Sequence, residues 1–74
     1  MSTDSQQFAD LLKKVRGQLG ISQVSLAREL GVSFATVNRW ENGRTKPLKL
    51  ARAQFDFFCA RMQRRGKLEL DDDA

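Results

Sequence analysis

The sequence predicts an all-α protein: a compact bundle of four helices with a long C-terminal helix. Three observations predict it. Apolar residues recur at helical spacing in four separate stretches. Glycines, and a single proline, stand between those stretches, where helices stop and turn. No strand candidate exceeds Lys67-Leu68-Glu69-Leu70, and no internal repeat occurs.

The elements follow in order. Residues 1–4 read as a loose N-terminus, and Thr3 with Gln6 fits a capping box. Phe8, Leu11, Leu12, Val15 and Leu19 then fall at i, i+3, i+4, i+7 and i+11, one stripe of an amphipathic helix. Gly20 can cap its end. Gly17 lies inside this helix, at a cost of about 1 kcal/mol against alanine. Close packing against another backbone would explain it. Ser22 is a good N-cap for a second helix over residues 22–30. Gly31 can take the positive φ that ends that helix and turns the chain. Ser33 caps a third helix that runs to Glu41 or Asn42 and stops at Gly43. Arg44-Thr45-Lys46 is a basic loop, closed by Pro47 at the start of the last helix. Residues 48–64 contain no breaker. Ala51, Phe55, Phe58 and Met62 form their apolar stripe, and Leu50, Phe57 and Cys59 widen it. Gly66 ends the helix. One domain over residues 5–65 is expected, with an acidic, frayed tail over residues 66–74.

Composition narrows the function. Seventy-four residues make one small domain. There is no run of about 18 apolar residues to span a membrane. No apolar stretch near Met1 resembles a secretory signal. One cysteine and no histidine exclude a disulfide framework and a four-ligand zinc site within the chain. Cys59 reads as a small buried hydrophobe, and a reducing cytoplasm is the expected setting. No cofactor and no small-molecule ligand are expected. The net charge is +4. The last six residues hold four acids and no base, so the 68 before them carry 13 basic and five acidic residues, a net +8. Such a body suits a polyanionic partner.

Residues 23–40 concentrate the chemistry. Leu26, Leu30, Val37 and Trp40 supply the inner face of a helix pair, and Ala27 is small where the two helices approach. The stretch reads as two short helices joined by a tight glycine turn, the geometry that lets a second helix enter the DNA major groove. The residues Ile21-Ser22-Gln23, Leu26-Ala27, Leu30-Gly31-Val32-Ser33, Thr36-Val37, Arg39-Trp40-Glu41-Asn42-Gly43 and Pro47 resemble the Cro and phage-repressor family of bacterial DNA-binding regulators. The resemblance covers about residues 8–50. Many relatives then have a short fourth helix, a break and a fifth helix used for pairing. One long helix replaces both here, so the dimer geometry of those relatives does not carry over.

At 100° per residue, Val37 and Trp40 point one way together with Thr36. Phe34, Ala35, Asn38, Arg39 and Asn42 point the other. Arg39 can bond guanine bidentately, and Asn38 can do so with adenine. Phe34 and Ala35 suit thymine methyl groups. The blander readings are a solvated or phosphate-bound Arg39 and Asn38, and a Phe34 folded back onto the core or held in a protein contact. The resemblance implies phosphate contacts from Gln23, at a positive helix N-terminus, and from Asn42, Arg44 and Lys46. Ser33 and Thr36 join that set as weaker candidates. It also implies a structural ion pair between Arg16 and Glu41.

The leading function is a sequence-specific transcriptional regulator, in particular a repressor acting by operator occupancy on double-stranded DNA. An antitoxin and a restriction-modification controller are variants of the same idea. The alternative is a protein–protein adaptor that uses the apolar last helix. An enzyme is not expected, because no catalytic constellation appears. A homodimer is expected, with Leu50, Phe57 and also Leu68 left over from the core to form its contact.

Overall fold

A computed structural model of the chain describes residues 3–70. Four helices make up the described structure: α1 (Thr3–Leu19), α2 (Gln23–Leu30), α3 (Phe34–Glu41) and α4 (Lys49–Arg64). α1 begins earlier than the capping-box reading predicts. Thr3 and Asp4 already belong to the helix, and Met1 and Ser2 lie outside the described residues. Gln6 does not reach back to a cap. Its Nε2 donates forward to Asp10 Oδ1 at 2.9 Å, one turn along the same face.

The turns are built as the sequence demands. Ser22 Oγ accepts from the Ser25 backbone N–H at 3.0 Å, and Ser33 Oγ accepts from that of Thr36 at 3.1 Å. Both serines are extended, as an N-cap must be. Between α2 and α3, Gly31 takes φ 72° and ψ 30°. There a Cβ would be strained, and glycine lets Val32 N–H close the helix on the Ala27 carbonyl at 3.0 Å. α4 starts with no side-chain cap at Leu48.

Packing follows the apolar stripes. α3 lies against both α1 and α2, and α2 also touches α4. Phe8, Leu12 and Val15 from α1 meet Leu26, Ala27 and Leu30, Val37 and Trp40, and Phe55, Phe58, Cys59 and Met62 in one core. The Phe8 ring stands edge-on to Trp40 at 5.5 Å and to Phe55 at 5.3 Å. Such pairs contribute about 0.5–1.5 kcal/mol beyond their burial. The Arg52 guanidinium covers Phe8 at 5.3 Å from the ring centre and bonds Asp56 at 3.0 Å. Cys59 is buried, as its place on an apolar helix predicts. Burial and the nearby Asp56 push its thiol up to about 11, against the opposing charge of Arg52, which keeps it protonated and unreactive.

Two expectations are corrected. Residues 67–70 do not fray from the body. Leu68 is 3% exposed and sits in the core, so it is unavailable to the dimer contact for which it was a candidate. Gln18 fixes this segment: its Nε2 donates to the Glu69 carbonyl and its Oε1 accepts from the Glu69 N–H, each at 2.8 Å. Residues 71–74, which carry the remaining acids of the tail, lie outside the described residues. The second correction concerns Gly17. Close backbone packing does not explain it, because a Cβ there would meet nothing within 4 Å.

Gly17 is thus an exposed helix-interior glycine with room for a side chain. Gly17→Ala should stabilise the fold by about 0.5–1 kcal/mol, read as a higher urea midpoint at an unchanged slope.

Candidate nucleic-acid interface

α3 divides into two faces. Val37 and Trp40 are buried, and Thr36 is half-buried with its hydroxyl 2.9 Å from that of Ser33. On the other side Phe34 is 51% exposed, and Ala35, Arg39 and Asn42 are exposed. The Arg39 guanidinium has no hydrogen-bond or ionic partner among the described residues. Arg44 and Lys46 extend from the loop after α3 and are exposed as well. Neither α2 nor α3 has an acid in its first turn, so neither helix offsets the positive end of its own dipole there.

Behind this surface Arg16 and Glu41 form a fork-to-fork pair. Arg16 Nε lies 2.6 Å from Glu41 Oε2, and Nη2 lies 2.9 Å from Oε1. Arg16 Nη1 also donates to the Ile21 carbonyl at 3.0 Å, which ties down the α1–α2 turn. Glu41 is only 4% exposed. Burial alone would raise its pKa. Hydrogen bonds from Arg16 and Gln23, with the charges of Arg16 and Lys13, reverse that and hold the carboxyl below its ordinary value. The hydrogen bond to Glu41 raises the Arg16 pKa in turn, against desolvation.

Gln23 and Asn38 are more constrained than the sequence reading has them. Gln23 Nε2 donates to Glu41 Oε1 at 3.0 Å, and Gln23 Oε1 accepts from Asn38 Nδ2 at 3.2 Å. Asn38 Oδ1 accepts from Asn42 Nδ2 at 3.1 Å. Gln23 and Asn38 are both half-buried. Helical periodicity places Asn38 on the outer face but does not signal its contact with a residue 15 positions earlier. The structure therefore brings Gln23, Asn38 and Asn42 into one group beside Phe34, Ala35 and Arg39. Ser33 and Thr36 face each other, which leaves their hydroxyls at the start of α3. Leu50 and Phe57 stand apart on α4, 75% and 69% exposed.

A family model described as helix-turn-helix matches residues 12–53. The chain belongs to the helix-turn-helix family. The match spans the last two turns of α1, all of α2 and α3, and the first turn of α4. It agrees with the resemblance to Cro and phage repressors and makes the protein a DNA-binding regulator of that type. Comparison with curated proteins and with solved structures gave no match. No helix among the described residues is long and apolar enough to cross a membrane.

The depressed Glu41 carboxyl makes stability depend on pH. Its folded pKa is below the unfolded value of about 4.3, so its contribution is complete above that value and is lost as pH falls through the folded one. Glu41→Gln should cost roughly 1–3 kcal/mol at pH 7, and the gap to wild type should narrow between about pH 5 and pH 3. Urea unfolding of both proteins across that range checks it. A gap that stays constant contradicts the assigned direction.

Proposed function

We propose that this helix-turn-helix protein is a sequence-specific transcriptional repressor that acts by occupying an operator. The observation that carries the reading is Arg39, an exposed guanidinium on the outer face of α3 with no partner among the described residues. A bidentate guanidinium discriminates guanine through O6 and N7, whereas a phosphate contact carries no sequence information. Phe34 and Ala35 contact thymine methyl groups beside it, and Asn38 reads adenine with the amide capacity left after its two hydrogen bonds. Gln23, Ser33, Thr36, Asn42, Arg44 and Lys46 hold the phosphates on either side. Bound there, the protein blocks polymerase sterically. The setting is the cytoplasm.

The operator-bound form is a homodimer. One helix-turn-helix reads few base pairs, and two-fold pairing places half-sites about 34–36 Å apart on one DNA face. Leu50 and Phe57 are seven residues apart on α4, hence about 10.5 Å along one stripe. With Leu48 they are the large apolar side chains of this region that the core leaves uncovered. An exposed apolar patch of this kind marks an interface. The same patch supports the adaptor reading, in which the partner is another protein.

Two substitutions separate reading from holding. Arg39→Ala should cost about 1–3 kcal/mol at a selected guanine-containing site and abolish the preference at that step. Lys46→Ala should weaken binding to all DNA alike and lower the salt slope by about 1. Selection from random DNA followed by titration at several salt concentrations measures both. An equal loss on specific and random DNA for Arg39→Ala would reduce Arg39 to a phosphate contact.

The dimer has its own test. Phe57→Glu should leave the helical content intact, shift sedimentation at tens of micromolar towards monomer, and weaken operator binding. If wild type is itself monomeric there and saturates the operator at one chain per site, the dimer is wrong.

A further inference from the structure

The hydrogen bonds that join Glu41, Gln23, Asn38 and Asn42 run in one direction, and chemistry forces that direction. Glu41 is buried against Arg16 and ionised, so it can only accept. The Gln23 atom facing it at 3.0 Å must therefore be Nε2. That turns Gln23 Oε1 towards α3, where it can only accept, and Asn38 meets it with Nδ2 at 3.2 Å. Asn38 Oδ1 then faces along the helix and accepts a hydrogen bond from Asn42 Nδ2 at 3.1 Å. One buried charge thus sets which end of three successive amides donates.

The order matters on DNA. A free amide turns over between two orientations of nearly the same shape, which exchange donor and acceptor. Reading adenine needs a donor towards N7 and an acceptor towards the N6 amino group, in that order. After its two internal bonds, Asn38 keeps one N–H and one lone pair, which suffices for such a contact in a fixed sense.

We infer that Glu41 is a positioning residue for base readout: through Gln23 it fixes the donor–acceptor orientation of Asn38 and Asn42 on the DNA-facing side. The inference rests on the reading of α3 as the base-contacting helix. It goes beyond the structural ion pair, since a pair that only fastens α1 to α3 has no bearing on base preference.

Two variants cut the line at different points. Gln23→Leu keeps the Arg16–Glu41 pair and removes the link to Asn38. Glu41→Gln keeps the shape and removes the charge that sets the order, and circular dichroism checks its folding. Two measurements are made on each. One is the side-chain amide spectrum of the free protein by nuclear magnetic resonance. The other is the base-preference profile from selection on random DNA, with Asn38→Ala marking the step that Asn38 reads. In Gln23→Leu the amide signals of Asn38 and Asn42 should both move. The preference at the Asn38 step should fall at least threefold, while the guanine preference at the Arg39 step stays. A folded Glu41→Gln should reproduce both effects; if it does not fold, Gln23→Leu decides. An Asn42 signal that stays in place in Gln23→Leu overturns the inference. So does an unchanged profile with equal loss on specific and random DNA, which leaves Gln23 as a phosphate contact. Wild type without any base preference overturns the underlying DNA reading as well, and the amide signals still report whether the line of hydrogen bonds exists.

Discussion

The Arg16–Glu41 pair is the constraint on which the arrangement of α1, α2 and α3 depends. Glu41 is the last residue of α3, Arg16 lies in the last turn of α1, and the third Arg16 donor closes the turn into α2. Three helices are referred to one guanidinium. The core supplies the larger energy, but apolar contact is non-directional and leaves short helices free to slide or rotate. α2 and α3 have only eight residues each. Helices so short are marginal alone, and their orientation must come from contacts with fixed geometry. A fork-to-fork ion pair has that geometry. As with other buried pairs, its net gain in stability is small, and what it adds is position.

Much of this was legible in the sequence because the signals are local. Ser22, Ser33 and Gly31 specify caps and a left-handed turn within four residues of themselves. The stripe from Phe8 to Leu19 and the Val37–Trp40 face follow from periodicity alone. What was not legible depends on contacts between distant positions. Leu68 lies beyond a helix-ending glycine in a polar stretch and reads as tail, yet Gln18, 51 residues earlier, fastens the neighbouring backbone and lets Leu68 reach the core. The amide line has the same character. Gln23 and Asn38 each look like a free DNA contact, and only the fold shows that they meet. Gly17 has no such hidden partner, and nothing around it explains why glycine stands there.

α4 shows how a small domain divides its apolar residues. Phe55, Phe58, Cys59 and Met62 are needed to close the core over α1 and α2. Arg52 and Arg61 then lay their guanidinium groups over Phe8, Phe55 and Phe58, at 5.3–5.9 Å from the ring centres, so that long basic side chains cover aromatic rings. That cover stops short of Leu48, Leu50 and Phe57. The contrast is within one helix: charged residues shield the rings that belong to the core, and the exposed apolar side chains have no such shield.

The two faces of α3 obey different rules of change. Val37, Trp40 and Glu41 are fixed by packing and by the ion pair, and a substitution there disturbs the frame. Phe34, Ala35 and Arg39 project outward, and Arg39 makes no side-chain bond to the rest of the described protein. Replacing them changes what the helix presents without changing where it sits. Asn38 belongs to neither class. It projects towards the outer face but is bonded on both sides, to Gln23 and to Asn42. A change at Asn38 therefore alters the presented surface and the line of amides behind it together. If α3 reads bases as proposed, positions 34, 35 and 39 can change without disturbing the frame, whereas a change at 38 also breaks the hydrogen bonds to 23 and 42.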